Sequence, residues 1–451
     1  MRISKIKYDA HPALGDLELD LINPNTNAAY DTILLVGENG TGKTTILSDL
    51  SSFMNGKSLG NIASIEYFVE TDKYEATHHT NPHWPDYFYM VKDALGVQHA
   101  ITNSGRENSD NEEMNRMNIR RYGCVFSKAR ADYKTDKIQH TTTKKLDQDK
   151  TDADDVDDFT SLKQLIIDIE NQDNAEFAAL HRNNGSSAES WGVFFKKSRV
   201  YRFKNAFDSF FQKIKYDRTE DVDNEKVIFF KKNNKDISID HLSTGEKQIV
   251  FRGTQLLKNN KNLDGSLILI DEPELSMHPK WEKNILNYYL NLFKKDNTQV
   301  QMAQIFMATH SEYVLQEALR QRNNILTIVI TEKNGIVKIK KLDMPLILPS
   351  LTSAEVNYLA FDIVSNDFHT QLYGHIQNKH SLTTVKDCDE YIRKSSGYKT
   401  NVHAKNSNHG KTTYQTLCTF IRNDIHHPSN GGNMFTEDEL RRSIELLISL
   451  C

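Results

Sequence analysis

One stretch of this chain has residue types and spacing suited to holding a polyphosphate. Gly37-Glu38-Asn39-Gly40-Thr41-Gly42-Lys43-Thr44 follows directly on the aliphatic run Ile33-Leu34-Leu35-Val36. A buried strand leading into Gly-x-x-x-x-Gly-Lys-Thr makes a phosphate-binding loop. Its glycines let the backbone turn tightly, and its N–H groups face the ligand at the start of the next helix. Candidate contacts are Gly37, Asn39, Gly40, Gly42, Lys43, Thr44 and Thr45. Lys43 would reach the β- and γ-phosphates, and the Thr44 hydroxyl would hold Mg²⁺. The helix-forming stretch Thr45-Ile46-Leu47-Ser48-Asp49-Leu50 supplies a context that a plain glycine-rich turn lacks.

Roughly 200 residues later come further candidates. Leu242-Ser243-Thr244-Gly245-Glu246-Lys247-Gln248 precedes Ser266-Leu267-Ile268-Leu269-Ile270-Asp271-Glu272-Pro273, an aliphatic run ending in two carboxylates. At the end of such a strand Asp271 can hold the water shell of Mg²⁺. Glu272, pointing the other way, can polarise an attacking water. Glu274-Leu275-Ser276-Met277-His278-Pro279 follows, and then Phe306-Met307-Ala308-Thr309-His310-Ser311, a short strand closing on a histidine. Each piece also has an ordinary reading. Ser243-x-x-Glu246 is a capping box that starts a helix, the two acids could be solvated at a strand end, and His310 could be a surface histidine. Their joint occurrence in this order is what argues for a catalytic set.

That ordered set closely resembles the ATP-binding-cassette (ABC) ATPases of the SMC-like branch, over residues of about 30 to 312. The resemblance implies ATP and Mg²⁺ as cofactors. It makes residues 33–44 the strand and P-loop, 242–246 the ABC signature, 266–273 the Walker B strand and 274–278 the D-loop, with His310 as switch histidine beside the catalytic Glu272. It also implies a homo-oligomer built on head-to-tail pairs, each ATP gripped by the P-loop of one head and the Ser243/Gly245 region of the other. A serine hydroxyl and exposed N–H groups at a helix N-terminus suit a γ-phosphate.

Composition agrees with that class. With ~150 residues per domain as a guide, 451 residues allow about three units and a substantial core. No apolar run approaches the ~20 residues that span a bilayer, which argues against a membrane-embedded transporter and against membrane contact. Met1-Arg2-Ile3-Ser4-Lys5-Ile6 lacks the apolar core of a signal peptide. Cys124, Cys388, Cys418 and Cys451 form neither a metal-ligand spacing nor a disulfide framework, so a cytoplasmic location is expected. A net charge of −5 excludes a wholly basic nucleic-acid binder but leaves room for local basic patches.

The elements that must position these residues are expected to form an α/β fold. It comprises a P-loop ABC-type head with a compact β/helical insertion and an all-helical C-terminal region. Four regions are expected. They are an N-terminal lobe with P-loop and β-subdomain (1–135), a helical insertion with an acidic linker (136–235), a second lobe with the remaining motifs (236–345), and a helical C-terminal domain (346–451). Leu17, Leu19 and Leu21 alternate with acids as a half-buried strand. Tyr87-Phe88-Tyr89-Met90-Val91 reads as a strand returning through Leu95-Gly96. His78, His79 and His83 lie in a loop with no cysteine or carboxylate at ligand spacing, which argues against zinc. The acidic run 147–158 reads as a solvated linker and lacks the glycine and terminal glutamate of an EF-hand loop.

Phe203, Phe207, Phe210, Phe211 and Ile214 fall at helical spacing as one apolar core face. Lys196, Lys197, Arg199, Arg202 and Lys204 nearby are candidates for contact with DNA or RNA phosphates. No a/d heptad register persists for three repeats, so the insertion is compact, without a long coiled coil. No glutamine is assigned to a Q-loop, because Gln98, the only one before residue 130, sits in a hairpin strand. Ser127-Lys128-Ala129-Arg130 is a further candidate contact with nucleotide or partner.

Met344-Pro345-Leu346-Ile347-Leu348-Pro349 breaks regular structure after the head, and helical patterns resume beyond it. Arg422 and His427 resemble the Arg-x4-6-His motif of HEPN domains, many of which are RNases. In such a site a histidine moves the 2′-hydroxyl proton and an arginine stabilises the pentavalent phosphate. Arg422 and Asn423 could equally brace a helix end broken by Pro428.

Together these features resemble the stand-alone SMC-like ATPases of bacterial anti-phage defence and abortive infection, in particular the ATPase subunits of Septu systems, including those attached to retrons. The implied mechanism is a sensor whose ATP state controls an HNH-type nuclease subunit. No acidic Toprim-like set follows His310, unlike the related OLD-type ATPases. Two other readings stay open. One is an ATP-gated ribonuclease with its own HEPN-like site, similar in layout to the ATP-gated anticodon nucleases. The other is a DNA-repair ATPase that clamps DNA.

Overall fold

Thr32–Val36 is buried along its whole length, as a strand covered on both faces must be. It is an interior strand of a seven-stranded sheet in this computed structural model, which describes residues 1–103, 110–129, 151–153, 159–184, 189–257, 263–295, 298, 300–342, 347–409, 412–427 and 434–451. On one side of it lie Ile325–Lys333 and then Ile336–Lys341; on the other lie Gln304–Thr309, Leu267–Asp271, Cys124–Ser127 and Thr151–Ala153. All pairings are parallel except that of the edge strand Ile336–Lys341. The carboxyl ends of the parallel strands therefore share one rim, where ligands bind in open α/β sheets. Val36, Asp271, Thr309 and Ser127 all end at that rim.

The helix Lys43–Met54 buries Ile46, Leu47, Leu50, Phe53 and Met54. Its last turn is anchored by Arg120, whose Nε donates to the Phe53 carbonyl at 2.9 Å while its guanidinium lies 4.7 Å from the Phe53 and Tyr89 ring centroids. A second, wholly antiparallel sheet runs Glu18–Asp20, Arg2–Tyr8, Ile62–Val69, Asp72–His78, Tyr89–Lys92 and Gln98–Ile101. Gln304 joins the two sheets. Its buried amide accepts from Ile3 N and donates to the carbonyls of Ile3 and Tyr30.

The insertion is mixed, as the β/helical expectation for the fold has it, and differs from the helical description of residues 136–235. Helices Phe159–Asn184, Trp191–Phe195 and Arg199–Phe210 are present, but Ile214–Val222, Glu225–Lys232 and Lys235–Ser238 form a three-stranded antiparallel sheet. Phe211 caps the last helix and Ile214 opens a strand, so only Phe203, Phe207 and Phe210 share the helical face. The turns explain this. Asp223 and Asn224, and again Asn233 and Asn234, all have positive φ, the signature of tight hairpin turns. The basic group is largely neutralised: Arg199 is buried against Asp173 at 2.9 Å, Lys204 pairs with Asp208 at 3.0 Å and Lys197 with Glu189 at 2.8 Å. The Arg202 side chain lies outside the described residues. Of the acidic run, Thr151–Ala153 is an edge strand of the main sheet; the rest also lies outside.

The protein divides into two compact units, Met1–Leu342 and Asp343–Cys451. The second has its own core, with Phe368, Leu372, Ile376, Cys418, Ile421, Ile444 and Leu447 fully buried. It is mainly helical but not all-helical, because Ala404–His409 and Thr412–Thr416 pair as a hairpin. The buried Asp389 carboxylate anchors that hairpin by accepting from Gln415 N, Thr416 N and Thr416 Oγ1. Threonine and tyrosine favour strands, but polar residues dominate both strands, so no apolar alternation marks the hairpin in sequence. Met344, Pro345 and Leu346 lie outside the described residues.

Candidate functional site

Two close approaches shape the phosphate loop. A Cβ on Gly37 would fall 2.2 Å from the Ile330 carbonyl oxygen, and one on Gly42 would fall 2.2 Å from Leu14 Cδ2. Gly42 also has φ 96°, a conformation glycine adopts without strain. It is the residue before the helix Lys43–Met54, whose first N–H groups receive no side-chain cap. These orphan donors and the positive end of the helix dipole form a ready anion site. Asn39 and Gly40 are exposed on the loop, and Thr45 is half-buried in the first turn. Lys43 is buried, and its Nζ donates to the carbonyls of Gly37 and Glu38, both at 2.8 Å. Burial pulls its pKa down, against the raising fields of Glu272, Asp271, Glu274 and Glu38.

The loop is tied to the strand Leu267–Asp271 through one side chain. Thr44 Oγ1 lies 2.9 and 3.2 Å from the two carboxylate oxygens of Asp271. Burial raises the Asp271 pKa, the Thr44 hydrogen bond opposes it, and Glu272 adds to the rise. A hydroxyl and a buried carboxylate whose charge is poorly compensated are hard oxygen donors that fit Mg²⁺, which takes one or two carboxylates together with substrate phosphates.

Glu272 has φ 43°, rare for a residue with a side chain and concentrated at functional sites. Its N–H donates to the Ala308 carbonyl on the neighbouring strand, and its carboxylate stands 3.7 Å from His310 Nδ1. Glu274 is buried beside them. Its Oε1 accepts from Thr309 Oγ1 at 2.6 Å and from His310 N at 3.0 Å, and lies 3.5 Å from His310 Nδ1. Its Oε2 is buried with no hydrogen-bond partner among the described residues. Burial raises the Glu274 pKa.

Ser243 is exposed at the start of the helix Thr244–Leu257, and the ordinary capping box is present: Ser243 N donates to Glu246 Oε2 at 2.8 Å and Glu246 N to Ser243 Oγ at 3.4 Å. A Cβ on Gly245 would lie 3.0 Å from Trp281 Cζ3 and 3.2 Å from the Ser276 carbonyl, so Gly245 packs on the segment from Ser276 to Trp281. The fold thus gathers the loop from Gly37 to Thr45, the strand end at Asp271 and His310 into one cluster, while Gly245 makes its close contacts elsewhere. Arg252, on the same helix as Gly245, was not marked by any motif. It is buried, and its guanidinium donates to the carbonyls of Asp271 at 2.8 Å and Lys128 at 3.1 Å. A polar residue four positions after the equally buried Gln248 was the only available hint.

Of the remaining candidates, Gln98 is exposed at the start of an edge strand, and Ser127 ends a buried strand paired with Leu267–Asp271; Arg130 lies outside the described residues. His78 Nε2 and His79 Nε2 bond the carbonyls of Ile62 and Pro85. Among the described residues no group of His, Cys, Asp and Glu could hold a metal as a cluster of three or more. Arg422 lies in the helix Leu417–His426 and donates to Asn423 Oδ1, while His427 is the residue capping that helix. On a helix the neighbour of Arg422 is four positions on, which is His426. Burial and the charges of Arg422 and His427 lower the His426 pKa.

Residues 102–316 match the protein family described as "AAA domain, putative AbiEii toxin, Type IV TA system". The match contains Ser243, Gly245, Asp271, Glu272 and His310, and begins after the loop from Gly37 to Thr45. The chain is 27% identical over 155 residues to "Retron Vc95 probable ATPase" of Vibrio cholerae, covering 32% of this chain and 28% of that protein. It is 38% identical over 92 residues to "Retron Ec83 probable ATPase" of Escherichia coli, covering 18% and 16%. It is 32% identical over 97 residues to "Endonuclease GajA" of Bacillus cereus, covering 20% and 14%. The chain thus spans less than a third of the length of each of these relatives. Among solved structures, an SMC head bound to the C-winged helix domain of ScpA overlaps 76% of this chain and 98% of its own at 12% identity and TM-score 0.41. The SMC head domain from Thermotoga maritima overlaps 76% and 100% at 12% identity and TM-score 0.36. No helix among the described residues is long and apolar enough to cross a membrane.

Proposed function

We propose that the chain binds and hydrolyses ATP as the sensor or regulatory subunit of an anti-phage defence complex. The observation that carries the reading is the bond from Thr44 Oγ1 to Asp271, which joins the P-loop helix to the end of the Walker B strand, with Glu272 and His310 beside it. ATP would bring the phosphoanhydride and Mg²⁺ the charge that neutralises it. The chain's own residues do the rest. The loop from Gly37 to Thr45 binds the phosphates, Lys43 turns from its two carbonyls to the terminal phosphates, and Thr44 and Asp271 orient the metal. Glu272 takes a proton from water, and His310 positions the γ-phosphate end of the site.

In this proposal Ser243 and Gly245 complete the site of a second copy, and ATP turnover controls an associated HNH-type nuclease. The similarity to two retron ATPases and to an endonuclease supports a defence setting coupled to a nuclease. The deciding experiment is Glu272→Gln. This isosteric change keeps the shape of the site while removing the base, so ATP should still bind while hydrolysis falls by about 10²-fold or more. Undiminished turnover in a folded variant would remove Glu272 from the mechanism.

A further inference from the structure

A cleft of about 850 Å³ opens beside the signature helix, between the end of the helix Arg199–Phe210, the strand start at Ile214 and the helix Pro279–Leu292. Lys213, Lys232, Lys280 and Lys283 line it, against a single carboxylate, Glu246. That carboxylate is already engaged, by Lys232 at 3.0 Å and by the backbone of Ser243. Lys213 and Lys280 are exposed and have no ion pair among the described residues. The cleft therefore carries uncompensated positive charge in a chain whose net charge is −5.

Its other lining is aromatic and amide. Half-buried Trp281 offers a π surface, held edge-on to Phe211 with ring centroids 5.1 Å apart. Positions 280, 284, 287 and 291 fall on one face of the helix. They spread the lysine and asparagine donors over roughly 16 Å, in a row and not at a focus. A phosphate-only ligand leaves the aromatic wall unused, and an apolar ligand leaves the lysines unpaired. Ammonium groups beside an aromatic platform and amide hydrogen-bonding groups suit phosphate and base together.

We infer that this cleft is a second site for a nucleoside phosphate, distinct from the P-loop, with its phosphate on Lys213 and Lys280 and its base against Trp281. The ligand comes either as a free nucleotide or as units of a single strand, and the row of donors accommodates both. The site goes beyond the proposed ATPase function. Through the Lys232–Glu246 pair it touches the capping box that starts the signature helix.

The test uses the full chain without added ADP or ATP, which would compete for the cleft, and the P-loop contribution is subtracted with Lys43→Ala. Fluorescence anisotropy then follows labelled AMP and labelled hexathymidylate. Saturable binding of either probe, weakened at least about tenfold by Lys213→Glu with Lys280→Glu, is the expected result. Preference for hexathymidylate assigns the strand, and equal or better binding of AMP assigns the free nucleotide. The double Lys→Arg variant should retain binding, which separates charge from folding. ATP turnover of the Glu variant should stay within about twofold, so failure here and failure of the ATPase reading are distinguishable. No saturable binding by the wild type, or equal binding by a folded Glu variant, overturns the proposal.

Discussion

Glu274 is the residue on which His310 rests. One oxygen holds both Thr309 and the His310 backbone, while the other is buried without a hydrogen-bond partner among the described residues. Such an arrangement positions His310 at a cost in stability, as strained and desolvated groups at functional sites do. The sign follows from its raised pKa. A carboxyl that holds its proton more tightly when folded stabilises the fold fully below its unfolded pKa, and that contribution is lost as pH rises through the folded value. Glu274→Gln removes the ionisation. Its melting temperature should therefore gain on the wild type as pH rises from about 4 to 8, while kcat falls about tenfold with KM for ATP nearly unchanged. Glu274→Ala, which deletes the anchor, should lose more turnover than Glu274→Gln. Equal kcat in wild type and a folded Glu274→Ala protein would show that His310 does not depend on it.

At the scale of elements, the helix Thr244–Leu257 and the strands Leu267–Asp271 and Cys124–Ser127 are clamped by Arg252. Its buried guanidinium satisfies the Asp271 carbonyl at the strand end and the Lys128 carbonyl just beyond the other strand. Arg252→Ala would orphan both carbonyls and open a cavity, a loss of about 3 kcal/mol or more. Urea unfolding should show it as a lower midpoint with a similar slope. Arg252→Lys should recover only part of the loss, because an ammonium lacks the planar fork that reaches two acceptors. Full stability in the alanine variant would mean that the clamp is dispensable.

For the whole molecule, the residues proposed to handle ATP all belong to the unit Met1–Leu342, and Arg422 and His427 belong to the other. Within one chain Gly245 packs on Ser276 and Trp281, and Ser243 stands exposed at a helix start. That leaves Ser243 available to a second copy. If sites are shared between copies, Lys43→Ala and Ser243→Arg subunits should each be inactive alone, and mixing them should restore one intact site per mixed dimer. Turnover should then recover toward about a quarter of the wild-type level, set by the fraction of intact sites in a random mixture. No recovery, with mixed dimers demonstrated by cross-linking, would place each site within a single chain.

The sequence by itself determined which residues are proposed for the site, because the runs that carry them are local. The loop from Gly37 to Thr45, the acids Asp271 and Glu272 and the histidine after Thr309 each sit in a short contiguous run whose glycines, aliphatic residues and polar ends declare their purpose. Hairpin turns at Asp223-Asn224 and Asn233-Asn234 were legible in principle, yet Phe211 and Ile214 continued the helical spacing and masked the change of period. Only the tertiary structure decided what lies between these runs. Gln304–Thr309 enters the sheet between Thr32–Val36 and Leu267–Asp271, and that order brings Glu274 under His310. Arg199 looked like an exposed cation but is buried against Asp173. Lys213 and Lys280 carried no motif at all, and the fold sets them in one cleft. Pairings between segments this far apart are set by how two covered sheet faces pack, and no local spacing along the chain records that.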